Sequence, residues 1–402
     1  MSFLSAAERF AAIDRSDIVL DVQRCLHSHD HFSTCEACFE LCPTEAIQPG
    51  KPPTLDANKC QTCLACLPAC PVGAYSADDT VPSLLTCIAR LETKTVELIC
   101  AVNETADRGP SPDATGIRVR GCLAGLGVGT YLALAAMGLE RIILRLDACT
   151  GCPWISLRDK IQTQVNQTNQ WLAHWEKDVL LDWMLTLNEQ VERPLWDAKN
   201  PPLSRRDLFR LAAHQGQIVM ARTISQEPTK NNRHPGRDRL RLNNAITHLP
   251  EPTALLEASI ETGDFAMLSI SDECYACSIC ARVCPTDALK FQMNDEKTYY
   301  WLYFNTQVCI GCEACLHICA PEAVEIDKAP TLTQIFGESE PSVLHEGELS
   351  KCVQCKTLFA ADSDQDLCPV CEYRRKNPFG SMMPPGVKKI GKNFGGQKPH
   401  DS

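Results

Sequence analysis

Residues 60–71 read CQTCLACLPACP, and this stretch decides the fold. Its cysteines follow the spacing C-x2-C-x2-C-x3-C, and a proline comes next. Residues 274–285 repeat both the spacing and the proline, and residues 309–321 differ only in one alanine before the proline. Residues 25–43 match from their second cysteine onward, because Phe32 stands where the spacing would put the first. The pattern therefore occurs four times, in two pairs.

This spacing has a chemical reason, because three thiolates two residues apart let one tight loop ligate three corners of a cuboidal 4Fe-4S cluster. The runs resemble those of bacterial two-cluster ferredoxins over roughly residues 15–78 and 265–328. In that family the fourth cysteine of each run ligates the other cluster. The resemblance implies four 4Fe-4S clusters, on Cys60, Cys63, Cys66 and Cys42; on Cys274, Cys277, Cys280 and Cys319; on Cys309, Cys312, Cys315 and Cys284; and on Cys25, Cys35, Cys38 and Cys70.

The last of these clusters departs from the family, since Cys25 has to reach across an enlarged loop. A three-iron cluster, or ligation by His27, His29 or His31, stays open as an alternative, while a solvated loop is the plainer interpretation of the histidines. Disulfides or zinc explain the four runs poorly, because adjacent prolines and one recurring spacing fit no common zinc module.

The composition favours a redox protein of a reducing compartment, because 25 cysteines are spread over 402 residues. A net charge of −11 makes nucleic acid an unexpected partner. No signal peptide is visible at the N-terminus. The longest uncharged stretch, residues 121–139, fits a glycine-rich turn and a buried helix better than a transmembrane segment. We expect a cytoplasmic protein that reaches the inner face of a membrane only through partners.

Three apolar, β-branched segments between the ferredoxin-like regions each end in a cysteine. Helix-period stretches separate them, which predicts an α/β layer, and parallel strands would bring their carboxyl ends to one edge. Cysteines at strand ends and the pair Gly121–Cys122 resemble the delta subunit of methyl-viologen-reducing hydrogenase, which passes electrons to heterodisulfide reductase. The resemblance implies a 2Fe-2S cluster on Cys100, Cys122, Cys149 and Cys152. Buried cysteines with one C-x2-C pair are the alternative, and Cys87 is expected in the core.

The glycines of residues 125–129 invite a nucleotide-binding interpretation, because glycines between a strand and a helix can cradle phosphate. Thr130, however, stands where the third glycine of G-x-G-x-x-G is expected. We therefore expect close backbone packing beside a cluster here, rather than NAD or flavin.

A fifth run reads C-x2-C-x12-C-x2-C, the spacing of two knuckles that close a tetrahedral site, and it consists of Cys352, Cys355, Cys368 and Cys371. Zinc ribbons and rubredoxin-like tails share this spacing, so zinc and single iron both stay open. Lys356 and Thr357 replace the glycine and aromatic residue usual in rubredoxins, which favours zinc. The basic tail that follows is either disordered or docks onto an acidic partner.

The connection between the central segment and the second ferredoxin-like region is rich in proline and basic residues, and few contacts are expected to cross it. Within it, SRRDLFR at residues 204–210 resembles the twin-arginine export core, although such signals are N-terminal. A short amphipathic helix is the plainer interpretation.

The predicted fold class is α+β multidomain, with two ferredoxin-like modules flanking a small α/β domain. The predicted boundaries are 1–80 for the first module, 81–185 for the central domain, 186–252 for a linker, 253–330 for the second module, 331–350 for a linker, 351–373 for the knuckle and 374–402 for the basic tail.

These features predict an electron-transfer subunit that relays single electrons within an oxidoreductase complex of the hydrogenase, formate dehydrogenase, or disulfide or quinone reductase type. No nucleophile–base pair is visible, so no residue is predicted to be catalytic. Two alternatives stay open. The central cluster or the Cys149/Cys152 pair could reduce a disulfide substrate, or the chain could assist the assembly of a metalloenzyme.

Overall fold

The chain folds into two small units built around cysteine loops, a parallel α/β layer, and a C-terminal sheet that carries a four-cysteine knuckle. The α+β multidomain class expected from the sequence is therefore confirmed. This computed structural model describes residues 18–175, 179–188, 190–201, 215–226, 233–250, 265–327, 330–336, 341–360 and 365–377. The export-like residues 204–210 and the tail beyond Asn377 lie outside the described residues.

The first unit consists of short elements around two cysteine loops. They are β1 Val19–Leu20, α1 Leu26–His29, β2 Ile47–Gln48, β3 Thr54–Leu55, α2 Cys66–Ala69 and β4 Tyr75–Ser76. Strand β1 pairs antiparallel with β4, and β2 pairs antiparallel with β3. The pairing of the first strand with the last closes the unit around a small core that includes the buried side chains of Leu64, Leu67 and Tyr75.

The central layer is a five-stranded parallel sheet. Its elements, with a small flanking ribbon, are α3 Val81–Ile88, β5 Thr95–Ile99, β6 Arg108–Gly109, β7 Thr115–Arg118, α4 Val128–Ala136, β8 Arg141–Arg145, α5 Arg158–Ala173, β9 Leu180–Met184, β10 Val191–Glu192 and β11 Leu195–Asp197. The strand order is β11-β7-β5-β8-β9, and every neighbouring pair is parallel. The three segments that run into cysteines are the neighbours β7, β5 and β8. Their carboxyl ends therefore meet at one sheet edge.

Helix α4 contains about half of the longest uncharged stretch, and it is a buried core helix. Its residues from Gly129 to Ala135 are all buried, which explains why the helix is apolar around its whole circumference. Within the described residues, no helix has the length and apolarity needed to cross a bilayer.

The central sheet extends past the expected boundary at residue 185. Strand β11 adds an edge strand next to β7, and β10 pairs with β6. Pro194 precedes this edge strand, where the N–H that proline lacks is not needed by the ladder. Pro194, one of the prolines that predicted a linker here, therefore borders a strand instead.

Helices α6 Gln215–Ser225 and α7 Arg237–Ile246 lie in the expected linker, but α7 is packed tightly against its surroundings. Just before it, the Gly236 N–H donates to the Pro71 carbonyl of the first unit at 2.6 Å. Asn243 Nδ2 donates to the Gln307 carbonyl of the second unit at 2.8 Å. The expectation that few contacts would cross this segment is therefore wrong, because α7 joins the units.

The second unit and the knuckle share one antiparallel sheet. Their elements are β12 Met267–Ile270, α8 Ile279–Val283, β13 Leu289–Met293, β14 Tyr299–Phe304, α9 Ala314–His317, β15 Val324–Asp327, α10 Leu332–Phe336, β16 Ser342–Lys351, β17 Leu358–Ala360 and α11 Pro369–Lys376. Strand β12 pairs with β15, and the larger sheet has the order β13-β14-β16-β17. The segment predicted as a linker at 331–350 thus contains α10 and most of β16.

Asp79 ties α7 to the start of the central layer, and its removal should loosen this joint. The carboxylate accepts from Arg237 at 3.2 Å and pairs with Arg241, and all three side chains are less than a tenth exposed. We expect Asp79→Ala to lower the free energy of unfolding by about 3–5 kcal/mol, because two buried guanidinium groups lose their counter-charge. Denaturant titration measures this loss.

The neighbouring Asp78→Ala is the matched control. Asp78 pairs with Arg120 and Lys199, but its side chain is 49% exposed, so the expected loss is only about 0–1 kcal/mol. Burial raises the pKa of Asp79, but Arg241 and Arg237 lower it overall. Its contribution should therefore be present at neutral pH and disappear as the pH falls through that lowered pKa. Equal losses in the two variants would contradict this account of α7.

Candidate metal centres

Three of the four cysteine runs share an unusual backbone. In each, the residue before the second cysteine and the residue after it have positive φ, although five of the six are not glycine. They are Thr62 (55°), Leu64 (67°), Ala276 (58°), Ser278 (59°), Gly311 (60°) and Glu313 (62°). This left-handed conformation costs an L-residue about 1–2 kcal/mol. Such turns form concave anion sites that many iron–sulfur centres use, so the loop shape points to function.

A second turn is common to all four runs. The third residue after the last cysteine is left-handed in every case: Glu45 (50°), Gly73 (62°), Asp287 (55°) and Glu322 (54°). By contrast, neither Thr34 nor Glu36, the residues on either side of Cys35, has positive φ. The first run therefore ends like the others, but its enlarged loop has a different backbone.

One cavity of the first unit is lined mostly by apolar residues, by Cys42, Cys60, Cys63 and Cys66, and by Cys38 of the other cysteine set. Burial and the neighbouring thiols of Cys63, Cys60 and Cys42 raise the pKa of Cys66 well above its ordinary value. Thiolates in so apolar a place need a bound cation to balance them. Four converging sulfurs of this kind fit a cuboidal iron–sulfur cluster.

The second cavity of this unit is lined by Cys25, Cys35, Cys38 and Cys70, and by His27. Burial and the thiols of Cys70, Cys38 and Cys35 raise the pKa of Cys25 to about 11, so Cys25 does lie with the other three. The Nε2–H of His27 donates to the Cys35 carbonyl at 2.9 Å.

The three histidines of the enlarged loop differ in their surroundings. His27 is only 6% exposed, so the expectation of a solvated loop is wrong for this residue. Burial lowers the pKa of His29, and the charge of Arg233 adds to the effect. His31 is exposed. Among the three, only His27 lines the cavity of the four cysteines.

The second unit repeats the arrangement. One cavity is lined by Cys274, Cys277, Cys280 and Cys319. Burial raises the pKa of Cys280 to about 12, with contributions from the other three thiols of that cavity. The other set consists of Cys309, Cys312, Cys315 and Cys284. Burial raises the pKa of Cys315, and the thiols of Cys309, Cys312 and Cys284 lie close enough to raise it further. The crossed grouping that the ferredoxin resemblance implies is thus the grouping in space.

The central cysteines converge at the carboxyl edge of the sheet. Cys100 directly follows β5, Cys122 follows β7, and Cys149 and Cys152 lie in the turn after β8. Burial and the thiols of Cys100 and Cys152 raise the pKa of Cys149 to about 12. Burial raises that of Cys122, with further contributions from Cys100, Cys63 and Cys149. Four sulfurs at one sheet edge fit a small iron–sulfur cluster. Cys87 lies fully buried in the core, as expected.

A buried ion network that was not predicted from the sequence lies beneath the central cysteines. Arg145 Nε donates to Asp147 Oδ1 at 2.7 Å, and its Nη1 donates to Glu97 Oε2 at 3.1 Å. Arg193 donates to the same Glu97 oxygen at 2.8 Å. A partial signal was present, because Glu97 and Arg145 are charged residues next to runs of apolar strand residues, but their partners could not be inferred from it. The network fixes Asp147 at the start of the turn that carries Cys149 and Cys152.

The glycine-rich turn before α4 is filled by a side chain of the protein itself. Asp238 of α7 accepts a hydrogen bond from the Gly129 N–H at 3.0 Å, at the helix N-terminus where a phosphate would bind. A Cβ at Gly127 would overlap this carboxylate. Close packing is therefore the reason for these glycines. Gly127 and Gly129 pack against α7, whereas a Cβ at Gly125 would lie 3.0 Å from the Leu64 side chain, so the expected packing beside a cysteine group is found at Gly125.

The knuckle brings together Cys352, Cys355, Cys368 and Cys371, whose sulfurs all lie within 4.8 Å of one another. The Cys355 and Cys368 sulfurs are 3.6 Å apart, close to the roughly 3.8 Å that a tetrahedral site with Zn–S bonds of about 2.3 Å requires. No other set of three or more ligand atoms comes this close within the described residues. The knuckle therefore fits one ion, while the other cysteine groups are wider.

These observations define the class of site, which is iron–sulfur binding in the units and single-metal binding in the knuckle. The family model of the 4Fe-4S binding domain matches residues 53–76 and 269–290, one segment in each unit. The chain thus contains two 4Fe-4S binding domains. No curated protein and no solved structure matches the chain.

We expect Cys368→Ala to remove the metal from the knuckle and to unfold it locally, because structural metal sites of this size supply the folding free energy of their loops. Metal analysis should show one ion fewer per chain than wild type, and amide exchange should increase across β17 and α11.

Val353→Ala, at a site that is 56% exposed, is the control and should keep the metal. Full metal content in the Cys368→Ala protein would contradict the assignment.

Proposed function

We propose that this chain is an iron–sulfur electron relay, in which single electrons pass along five cysteine groups. The observation that carries the proposal is that contacts link the groups in series. Within the first unit, Cys38 lines both the cavity of Cys60, Cys63 and Cys66 and the cavity of its own group. When bound, iron–sulfur clusters accept and donate one electron each. The protein's part is to hold the cysteines in sequence and to shield them from water.

One junction of the line joins the first unit to the central layer. The Cys122 N–H donates to the Cys63 carbonyl at 3.2 Å, so loops from two groups are hydrogen-bonded to each other. Trp154 Nε1 donates to Gln61 Oε1 at 2.8 Å beside the same loops. These contacts support direct passage between the group of Cys63 and the group of Cys122.

The other junctions lead toward the knuckle. Cys312 of the second unit packs against the core of the first unit, which contains Cys70. Cys280 lies close enough to Cys315 to contribute to its raised pKa. The Ala360 N–H, next to the knuckle, donates to the carbonyl of Tyr275 at 3.0 Å, and Tyr275 directly follows Cys274. The line of five groups thus runs from the central layer to the group of Cys274, which lies beside the knuckle.

The two ends define where partners would act. An electron would leave a reduced partner, pass through the line and reduce an oxidised partner, so the chain itself returns to its starting state. Hydrogenases, formate dehydrogenases and disulfide or quinone reductases are the partner classes that we propose. The raised pKa of Cys149 argues against the rival function as a thiol reductase, because a nucleophilic cysteine needs a lowered pKa.

Anaerobic coulometric titration of the purified chain tests the proposal. We expect reversible uptake of about four to five electrons per chain, one for each cluster, without added substrate. Uptake of fewer than about two electrons, or reduction that depends on a disulfide substrate, would contradict a relay.

The central group can be tested separately with Cys149→Ala. The variant should lose about two or four irons per chain, depending on the cluster type, while the other groups stay reducible. Cys87→Ala is the matched control, because Cys87 is a fully buried cysteine that lies outside every group, and it should keep all iron. Wild-type iron content in the Cys149→Ala protein would mean that the central cysteines hold no cluster.

A further inference from the structure

The enlarged loop between Cys25 and Cys35 is the one place where the chain departs from the regular spacing. Phe32 takes the place of a ligand there, and its side chain is 52% exposed. The loop is nevertheless well defined, since Asp30 Oδ1 accepts from the Phe32 N–H at 2.8 Å and the Asp30 N–H donates to the Leu26 carbonyl at 2.8 Å. Its tip does not point away from the molecule, because it contacts the second unit.

His317 of α9 is the partner of this loop. Its Nδ1 lies 2.6 Å from Asp30 Oδ2, and the Asp30 side chain is only 7% exposed. The Phe32 ring meets the His317 ring edge to face, with centroids 5.8 Å apart. One carboxylate therefore holds the loop through one oxygen and the second unit through the other.

The position of His317 in the sequence shows which cysteine groups this contact joins. It lies between Cys315 and Cys319, which belong to the two cysteine groups of the second unit. On the same side, Ile310 and Cys312 pack against the core of the first unit. The contact thus lies where a cysteine group of one unit approaches a cysteine group of the other.

We propose that the Asp30–His317 pair, with Phe32, is a positioning contact that seats the group of Cys25, Cys35, Cys38 and Cys70 against the group of Cys309, Cys312, Cys315 and Cys284. The inference rests on the proposed relay, because it concerns the spacing of two of its groups. The enlarged loop is then an adaptation: the residues between Cys25 and Cys35 make the junction with the second unit, and Cys25 reaches past them to its group.

Other contacts should keep the two units together when this pair is broken. Arg233 contacts the second unit through the Asp287 carboxylate at 3.3 Å, and Arg239 donates to the Cys309 carbonyl at 3.4 Å. Asn243 adds its bond to Gln307. A variant at Asp30 or His317 is therefore expected to fold and to alter the local seating only.

The test uses the full chain, reduced anaerobically, and measures the magnetic interaction between clusters of the two units by electron paramagnetic resonance. In the seated state the Cys25 group lies against the Cys309 group, and in the unseated state it does not. Breaking a hydrogen bond to a charged group should lower the ratio of seated to unseated molecules by about tenfold or more. We expect Asp30→Ala and His317→Leu each to lose the part of the spectral broadening that arises between the units. Iron and sulfide content should stay at the wild-type level.

The double variant and the controls decide the interpretation. Asp30→Ala combined with His317→Leu should lose no more broadening than either single variant, because both remove the same contact. Asp30→Asn leaves one acceptor oxygen for two bonds, so it should retain more of the broadening than Asp30→Ala but less than wild type. Asp56→Ala removes a carboxylate of the first unit that accepts from the Asn58 N–H, and it should have no effect.

Wild-type broadening in Asp30→Ala or His317→Leu would overturn the inference. If the Asp30→Ala protein loses iron, its broadening no longer reports on the contact, and the broadening of the His317→Leu protein alone tests the inference. Failure of the wild-type clusters to accept electrons would instead overturn the relay itself, so the two failures are distinguishable.

Discussion

The cysteine loops hold non-glycine residues in a left-handed backbone that a free chain disfavours, and the rest of the structure depends on this constraint. Thr62, Leu64, Ala276, Ser278 and Glu313 adopt it at equivalent places, although their side chains have little in common. Such strain persists only where the surroundings impose it. The cysteines add a second cost, because their apolar cavities oppose ionisation of the buried thiols. Both costs are offset if a cluster is bound, because iron supplies charge and fixes the loop.

The proposed relay places a requirement on the arrangement of the units. Clusters can exchange electrons only when the loops that hold them are close, so a relay needs units that are joined firmly rather than tethered. Helix α7 does this through buried ion pairs with Asp79, and its Asp238 also fills the turn at Gly127 and Gly129. A segment with the composition of a linker is thereby the piece that joins three parts of the molecule.

Much of this could be predicted from the sequence, because cysteine spacing and β-branched runs are local signals. The strands that end near Cys100, Cys122 and Cys149 and the helices between them lie where periodicity placed them. The contributions of α7 and β11 could not be predicted, since they depend on partners far along the chain. The same holds for Asp30 with His317, which are distant in sequence, and for the pairing of Glu97 with Arg193. Residues that meet only after folding leave no periodic pattern.

Iron and acid-labile sulfide per chain, measured on anaerobically purified protein, test the central claim most directly. We expect about sixteen irons with matching sulfide from the four groups of the two units, and two or four more from the central group. A total near twelve would mean that the enlarged loop at Cys25 does not complete its cluster. Iron without sulfide, or only about one metal ion per chain, would contradict the account as a whole.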